Sequence, residues 1–211
     1  MNWKKKLATY ASLTVLATFI IHIINKLIYF MSTIDNLLGR KEGLYYEWRF
    51  GKIFYTKEGT GKPILLIHDL SACSSEYEWN RIVSDLSKKN TVYTLDLLGC
   101  GKSDKPNFTY TNFLYVQLVT DFINNVIGEK ADVIVTGNSC SFVLMACHNN
   151  DEIIDRILLI NPPSISSISK VPTKRTKMLK FIINIPFIGT LLFNLLHSKD
   201  SIEQTFMTEY F

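Results

Sequence analysis

Ala131-Asp132-Val133-Ile134-Val135-Thr136-Gly137-Asn138-Ser139-Cys140-Ser141 decides how the rest of this chain is read. Five of its first six residues are apolar or β-branched, which is the pattern of a strand buried on both faces, and Gly137 interrupts it at once. An uncharged helical run follows over residues 142–148. Strand, glycine turn, serine and helix in that order form an elbow, which holds a serine on a strained turn at the carboxyl edge of a sheet. The spacing predicts that the Ser139 hydroxyl stands exposed while its neighbours stay packed. Ser141 occupies the place where a third small residue is needed, because the start of the helix passes close to the preceding strand. A buried serine in an ordinary strand-to-helix turn would have the same sequence, so the pentapeptide alone does not decide its chemistry.

Upstream of the elbow, residues 44–58 alternate around Gly51 and read as an antiparallel hairpin, closed by Gly59-Thr60-Gly61. Residues 63–67 form a short apolar strand that runs directly into His68-Asp69-Leu70. An amphipathic helix is predicted over residues 78–87, then a strand over 91–95 that ends at Asp96. The loop from Asp96 to Asp104 contains Gly101-Lys102-Ser103, which invites a phosphate-loop reading. That motif needs a glycine five places before Gly101, and Asp96 stands there, where its carboxylate would repel phosphate. Residues 110–127 have helical spacing and stop near Gly128. Downstream of the elbow, residues 153–160 form another strand that Asn161-Pro162-Pro163 ends. Strand and helix alternate from Pro63 onward, so the fold class is α/β: a mostly parallel, doubly wound sheet with a hairpin at one edge.

The two ends of the chain differ from this core. Residues 7–25 carry no formal charge over 19 positions, and at a rise of ~1.5 Å per residue they span roughly the hydrocarbon core of a bilayer. We read a transmembrane helix over residues 1–31, with Lys26 able to snorkel, in preference to a cleaved signal peptide. Lys4, Lys5 and Lys6 favour a cytoplasmic N-terminus with the domain outside the cell membrane. Residues 32–43 read as a tether. After Pro163 come a basic run (Lys170, Lys174, Arg175, Lys177, Lys180) and an uncharged, mostly aliphatic stretch over residues 181–198. Pro186 and Gly189 interrupt that stretch, so two short apolar helices are expected rather than a second continuous span. They would roof an apolar pocket or, equally, cover the core as an amphipathic lid; the basic run could rest on anionic lipid.

Composition excludes several functions. Of the formal charge of +4, the four lysines within the first 31 residues account for all, because 19 basic residues then match 19 acidic ones. A nucleic-acid surface is therefore not expected. Cys73, Cys100, Cys140 and Cys147 lack CxxC spacing or paired histidines, so neither a metal site nor a cofactor is expected.

Four features in order now resemble the α/β-hydrolase superfamily in its lidded, serine-dependent form. They are the apolar strand with His68-Asp69-Leu70, the Asp96-x-x-Gly99-x-Gly101-x-Ser103 loop, the Gly137-x-Ser139 elbow, and a lid segment after the strand ending at Asn161-Pro162. The resemblance implies that Ser139 is the nucleophile attacking an acyl carbonyl, and that the backbone N–H groups of Leu70 and Cys140 form the oxyanion hole. Gly137 would support the elbow and His68 would shape the loop. Asp69 stands where the family usually has glycine, and its carboxylate is expected to point away from the site. The acid and histidine of a triad would follow in that order, and neither is found; His197 falls in the lid segment, so the core (residues 44–163) and the lid (164–211) read as an incomplete hydrolase. The resemblance thus implies a membrane-anchored serine hydrolase of apolar ester or other acyl substrates. A non-catalytic binding or scaffold protein of the same fold stays open beside it. Epoxide and carbon–halogen hydrolysis usually place Asp at the elbow, and Ser139 speaks against them.

Overall fold

The structure is a computed structural model that describes residues 3–34, 42–71, 73–168 and 173–198. The predicted tether lies mostly outside the described residues, as do residues 199–211. The chain divides into two compact units: residues 1–37 with 171–211, and residues 38–170.

The second unit is built on a six-stranded sheet in the order β1-β2-β4-β3-β5-β6. The predicted hairpin is β1 (Leu44–Trp48) with β2 (Gly51–Glu58), paired antiparallel and joined to the antiparallel side of β4 (Asn90–Leu95). From there β3 (Lys62–Ile67), β5 (Ala131–Thr136) and β6 (Ile154–Ile160) continue in parallel. The connections are a short 3-10 turn (Glu76–Trp79) leading into α2 (Asn80–Leu86), then α3 (Asn112–Phe122), α4 (Ser139–Asn149) and, after β6, the single turn α5 (Ile165–Ile168). A single turn of wider, π-type helix (Ile123–Ile127) extends α3 and ends at Gly128, whose φ of 78° is left-handed.

Alternation along β3 sets the two layers. Leu65 and Ile67 face a core shared with Val119, Phe122 and Phe142 of α3 and α4, whereas Ile64 and Leu66 face Trp79 and Val83 on the other side. Leu65, Leu66 and Ile67 are fully buried. Truncating any one of them to alanine would cost about 2–5 kcal/mol, so the end of β3 is held in a fixed place. Because β3 lies between β4 and β5, the chain leaves it in one direction and later returns on the other. The carboxyl ends of β3 and β5 therefore border the switch point of the sheet, where open α/β folds leave a crevice.

The first unit contains α1 (Trp3–Thr33), α6 (Lys174–Ile183) and α7 (Ile188–Leu196). Among the described residues, α1 is the one helix long and apolar enough by itself to cross a membrane, a test that a signal sequence also passes. The interruption predicted at Pro186 and Gly189 is a bend of 109° between α6 and α7. Only α7 is the apolar helix expected there, since α6 begins earlier and carries the basic residues Lys174, Arg175, Lys177 and Lys180.

Candidate active site

The elbow is tighter than its spacing predicts. β5 ends at Thr136, Gly137 takes a left-handed φ of 54°, and α4 begins at Ser139, three residues before the helical run seen in the sequence. The apex of the turn is thus Gly137, which has no side chain. Ser139 lies in the first turn of α4 with 0% exposure, and its Oγ donates to the carbonyl of His68 at 2.7 Å. The expected exposed hydroxyl is corrected on this point. Starting the helix early turns the Ser139 side chain toward the loop after β3, where the His68 carbonyl satisfies it. Cys140 is buried as well, and its backbone N–H closes the turn on Gly137 O at 3.2 Å, so this expected oxyanion donor is already engaged.

Asp69 supplies the second correction. Its Oδ1 accepts the backbone N–H of Asn138 at 2.7 Å, so the carboxylate points into the elbow, not away from it. A Cβ on Gly137 would lie 2.2 Å from that same oxygen. The cause is electrostatic: the first N–H groups of a helix lack partners within it and carry the positive end of its dipole, and a carboxylate is their strongest acceptor. Glu78, which the sequence placed only at the start of a helix, braces the arrangement. Its Oε2 accepts Asp69 N–H at 3.1 Å and its Oε1 accepts the Thr136 hydroxyl at 2.7 Å.

His68 is a clamp between loops. Its Nε2 accepts Leu97 N–H at 3.0 Å, which makes Nδ1 the protonated nitrogen that donates to Asp69 O at 2.7 Å. Desolvation in this sealed position pulls its pKa below the ordinary 6.5. Both nitrogens are committed to the backbone, so the ring orders the loops after β3 and β4.

The second loop explains the Asp96-x-x-Gly99-x-Gly101-x-Ser103 spacing. The buried Asp96 carboxylate accepts Glu76 N–H at 2.6 Å and Lys102 N–H at 2.7 Å, and a Cβ on Gly101 would fall 2.1 Å from Asp96 Oδ2. Ser103 Oγ donates to Asp96 O at 2.6 Å and accepts Phe54 N–H at 2.9 Å, tying the loop to β2. The carboxylate that ruled out a phosphate loop therefore takes the Lys102 N–H of its own loop and ties that loop to the turn at Glu76.

Half-buried Leu70, the other expected oxyanion residue, lies at a cleft of about 280 Å³ whose walls include Cys100, Tyr110 and Tyr115. Tyr110 and Tyr115 are stacked there with ring centres 6.3 Å apart. Burial pushes the Cys100 thiol up to about 11 and raises Cys140 too, so neither is a thiolate at neutral pH. Among the described residues, no group of three His, Cys, Asp or Glu side chains could hold a metal ion.

A model of the alpha/beta hydrolase family matches residues 64–206. The chain belongs to that family. Its curated relatives include the 2-hydroxy-6-oxo-6-(2'-aminophenyl)hexa-2,4-dienoic acid hydrolase of Metapseudomonas resinovorans, 34% identical over 40% of this chain and 29% of that protein. Another is the soluble epoxide hydrolase of Corynebacterium sp. strain C12, 24% identical over 52% of this chain and 38% of that protein. The chain thus spans about a third of the curated relatives it matches. Among solved structures, an epoxide hydrolase from Vigna radiata aligns with 82% of this chain and 58% of its own at a TM-score of 0.64 and 16% identity. A meta-cleavage product hydrolase from Pseudomonas fluorescens aligns with 78% of this chain and 65% of its own, at a TM-score of 0.55 and 20% identity. These two likenesses bear on the fold alone, which this α/β-hydrolase shares.

Proposed function

We propose that this α/β-hydrolase is a non-catalytic binding member of its family, carried on a membrane by α1, and that it takes a small apolar ligand in the cleft beside Leu70. One observation carries the reading: the Asp69 carboxylate accepts the Asn138 N–H while Ser139 donates to the His68 carbonyl. A negative charge at the mouth of the elbow opposes the oxyanion that acyl transfer must build, and a sealed hydroxyl has no path to an acyl carbon. The cleft volume of about 280 Å³ and its aromatic walls suit a small apolar molecule.

Turnover of p-nitrophenyl esters by the full chain tests this. Equal rates for the wild type and Ser139→Ala support binding without catalysis. A wild-type rate well above that of Ser139→Ala would establish the second reading, a serine hydrolase of apolar acyl substrates, which the Gly137-x-Ser139 spacing and the hydrolase relatives favour.

A further inference from the structure

The first unit holds a polar contact that a simple anchor does not need. Asn25 lies within the long apolar helix α1, yet it is only 8% exposed. Its Nδ2 donates to the carbonyl of Phe187 at 3.1 Å, and its Oδ1 accepts Asn194 Nδ2 at 3.1 Å. Phe187 sits in the bend between α6 and α7 with a φ of 66°, a left-handed conformation that a side chain as bulky as phenylalanine rarely adopts. Gly189 permits the corner, because a Cβ there would lie 1.7 Å from Ile183 O.

The bend also has a definite level along α1. Ile185 to Ile188 line a cavity of about 500 Å³ with Leu13, Thr14, Ala17 and Ile21, and Phe187 O is bonded to Asn25 at the end of the uncharged run, so the bend lies along the C-terminal half of that run. The ring of Phe187 meets His22 edge-on at 5.8 Å. Irregular backbone at that depth of a bilayer must find its partners within the protein. Four of its groups do so here: Asn184 N–H reaches Lys180 O, Ile185 N–H reaches Ile182 O, Ile188 N–H reaches Pro186 O, and Phe187 O accepts both Leu191 N–H and Asn25. The surroundings match a lipid of one charge. α7 exposes Ile188, Phe193, Leu195 and Leu196. The described residues of this unit carry eight basic side chains, four of them on α6, and no acidic one.

We propose that α6 and α7 form a re-entrant wedge in an anionic bilayer, with the bend embedded beside the C-terminal half of the uncharged run of α1 and Asn25 as its clasp. The proposal rests on the reading of α1 as a membrane anchor. The α6 cations reach the phosphates of the headgroups, Lys180 by extending its stem, and α7 presents its aliphatic face to the acyl chains.

The test uses the full chain in vesicles of phosphatidylcholine with phosphatidylserine, with Cys73 and Cys147 changed to serine. A polarity-sensitive fluorophore is placed at Ile188→Cys or, separately, at Val15→Cys on α1. The proposal expects blue-shifted emission at both positions, quenched by nitroxides on the acyl chains and not by aqueous iodide. In Asn25→Leu, and independently in Asn194→Leu, the Ile188→Cys probe is expected to become open to iodide while the Val15→Cys probe is unchanged. Lipid quenching at Val15→Cys with iodide quenching at Ile188→Cys in the unaltered chain would overturn the wedge and leave the anchor. Iodide quenching at both would overturn the anchor itself.

Discussion

Asp69 Oδ1 and the backbone N–H of Asn138 are 2.7 Å apart across the ends of β3 and β5, although 69 positions separate them in the chain. This bond decides what the elbow presents: a carboxylate over a glycine apex.

Gly137→Ala is expected to destabilise the core strongly, since it combines a left-handed φ of 54° with a contact of 2.2 Å to Asp69 Oδ1. The φ contribution alone is about 1–2 kcal/mol. Combining Gly137→Ala with Asp69→Gly should recover part of the loss, with a coupling of about 0.5–3 kcal/mol. Urea unfolding of the detergent-solubilised single and double variants measures it; strict additivity would show that the two positions do not meet.

Asp96→Ala removes the acceptor of two buried N–H bonds, at Glu76 and Lys102. The expected loss is about 3 kcal/mol or more, as charged acceptors contribute roughly 1.5–3 kcal/mol each. A lowered unfolding midpoint with an unchanged slope is the signature.

The buried His68 gives the core a pH dependence whose sign is fixed. Its pKa is lowered on folding by desolvation, so the unfolded chain binds the extra proton. The stability it contributes is complete above the ordinary 6.5 and is lost as pH falls from there through the folded value. Unfolding midpoints of the wild type should drop with acidification over this window, and those of His68→Gln should drop less.

Gly189→Val is expected to open the corner between α6 and α7, because Ile183 O occupies the space its side chain needs. Spin labels at Leu179→Cys and Leu195→Cys would report it as a changed or broadened distance distribution relative to the Gly189 parent carrying the same labels.

The sheet was legible because its strands are short apolar runs bounded by Gly, Pro and Asp. Residues 63–67 and 131–136 could be read as buried strands from composition alone, and β3 and β5 appear there in the structure. The start of α4 was not legible. Asn138, Ser139 and Cys140 are small and carry no periodic signal, so nothing in the sequence distinguishes a helix that begins at Ser139 from one that begins at Phe142. Yet those three residues decide which side chain the turn displays. The orientation of Asp69 depends on a donor contributed by Asn138, and local sequence has no access to such a contact. Glu78 was missed for the same reason, since its two partners lie on β3's loop and on β5. The departure from glycine at Asp69 was the one signal that could have exposed the closed elbow.

A fluorophosphonate probe applied to the full chain in native membranes tests the closed elbow most directly, with Ser139→Ala as the comparator. The buried hydroxyl, held by His68 O, should give no labelling above that variant. Labelling of the wild type that disappears in Ser139→Ala would mean that the serine reaches solvent as a nucleophile, and would contradict the account.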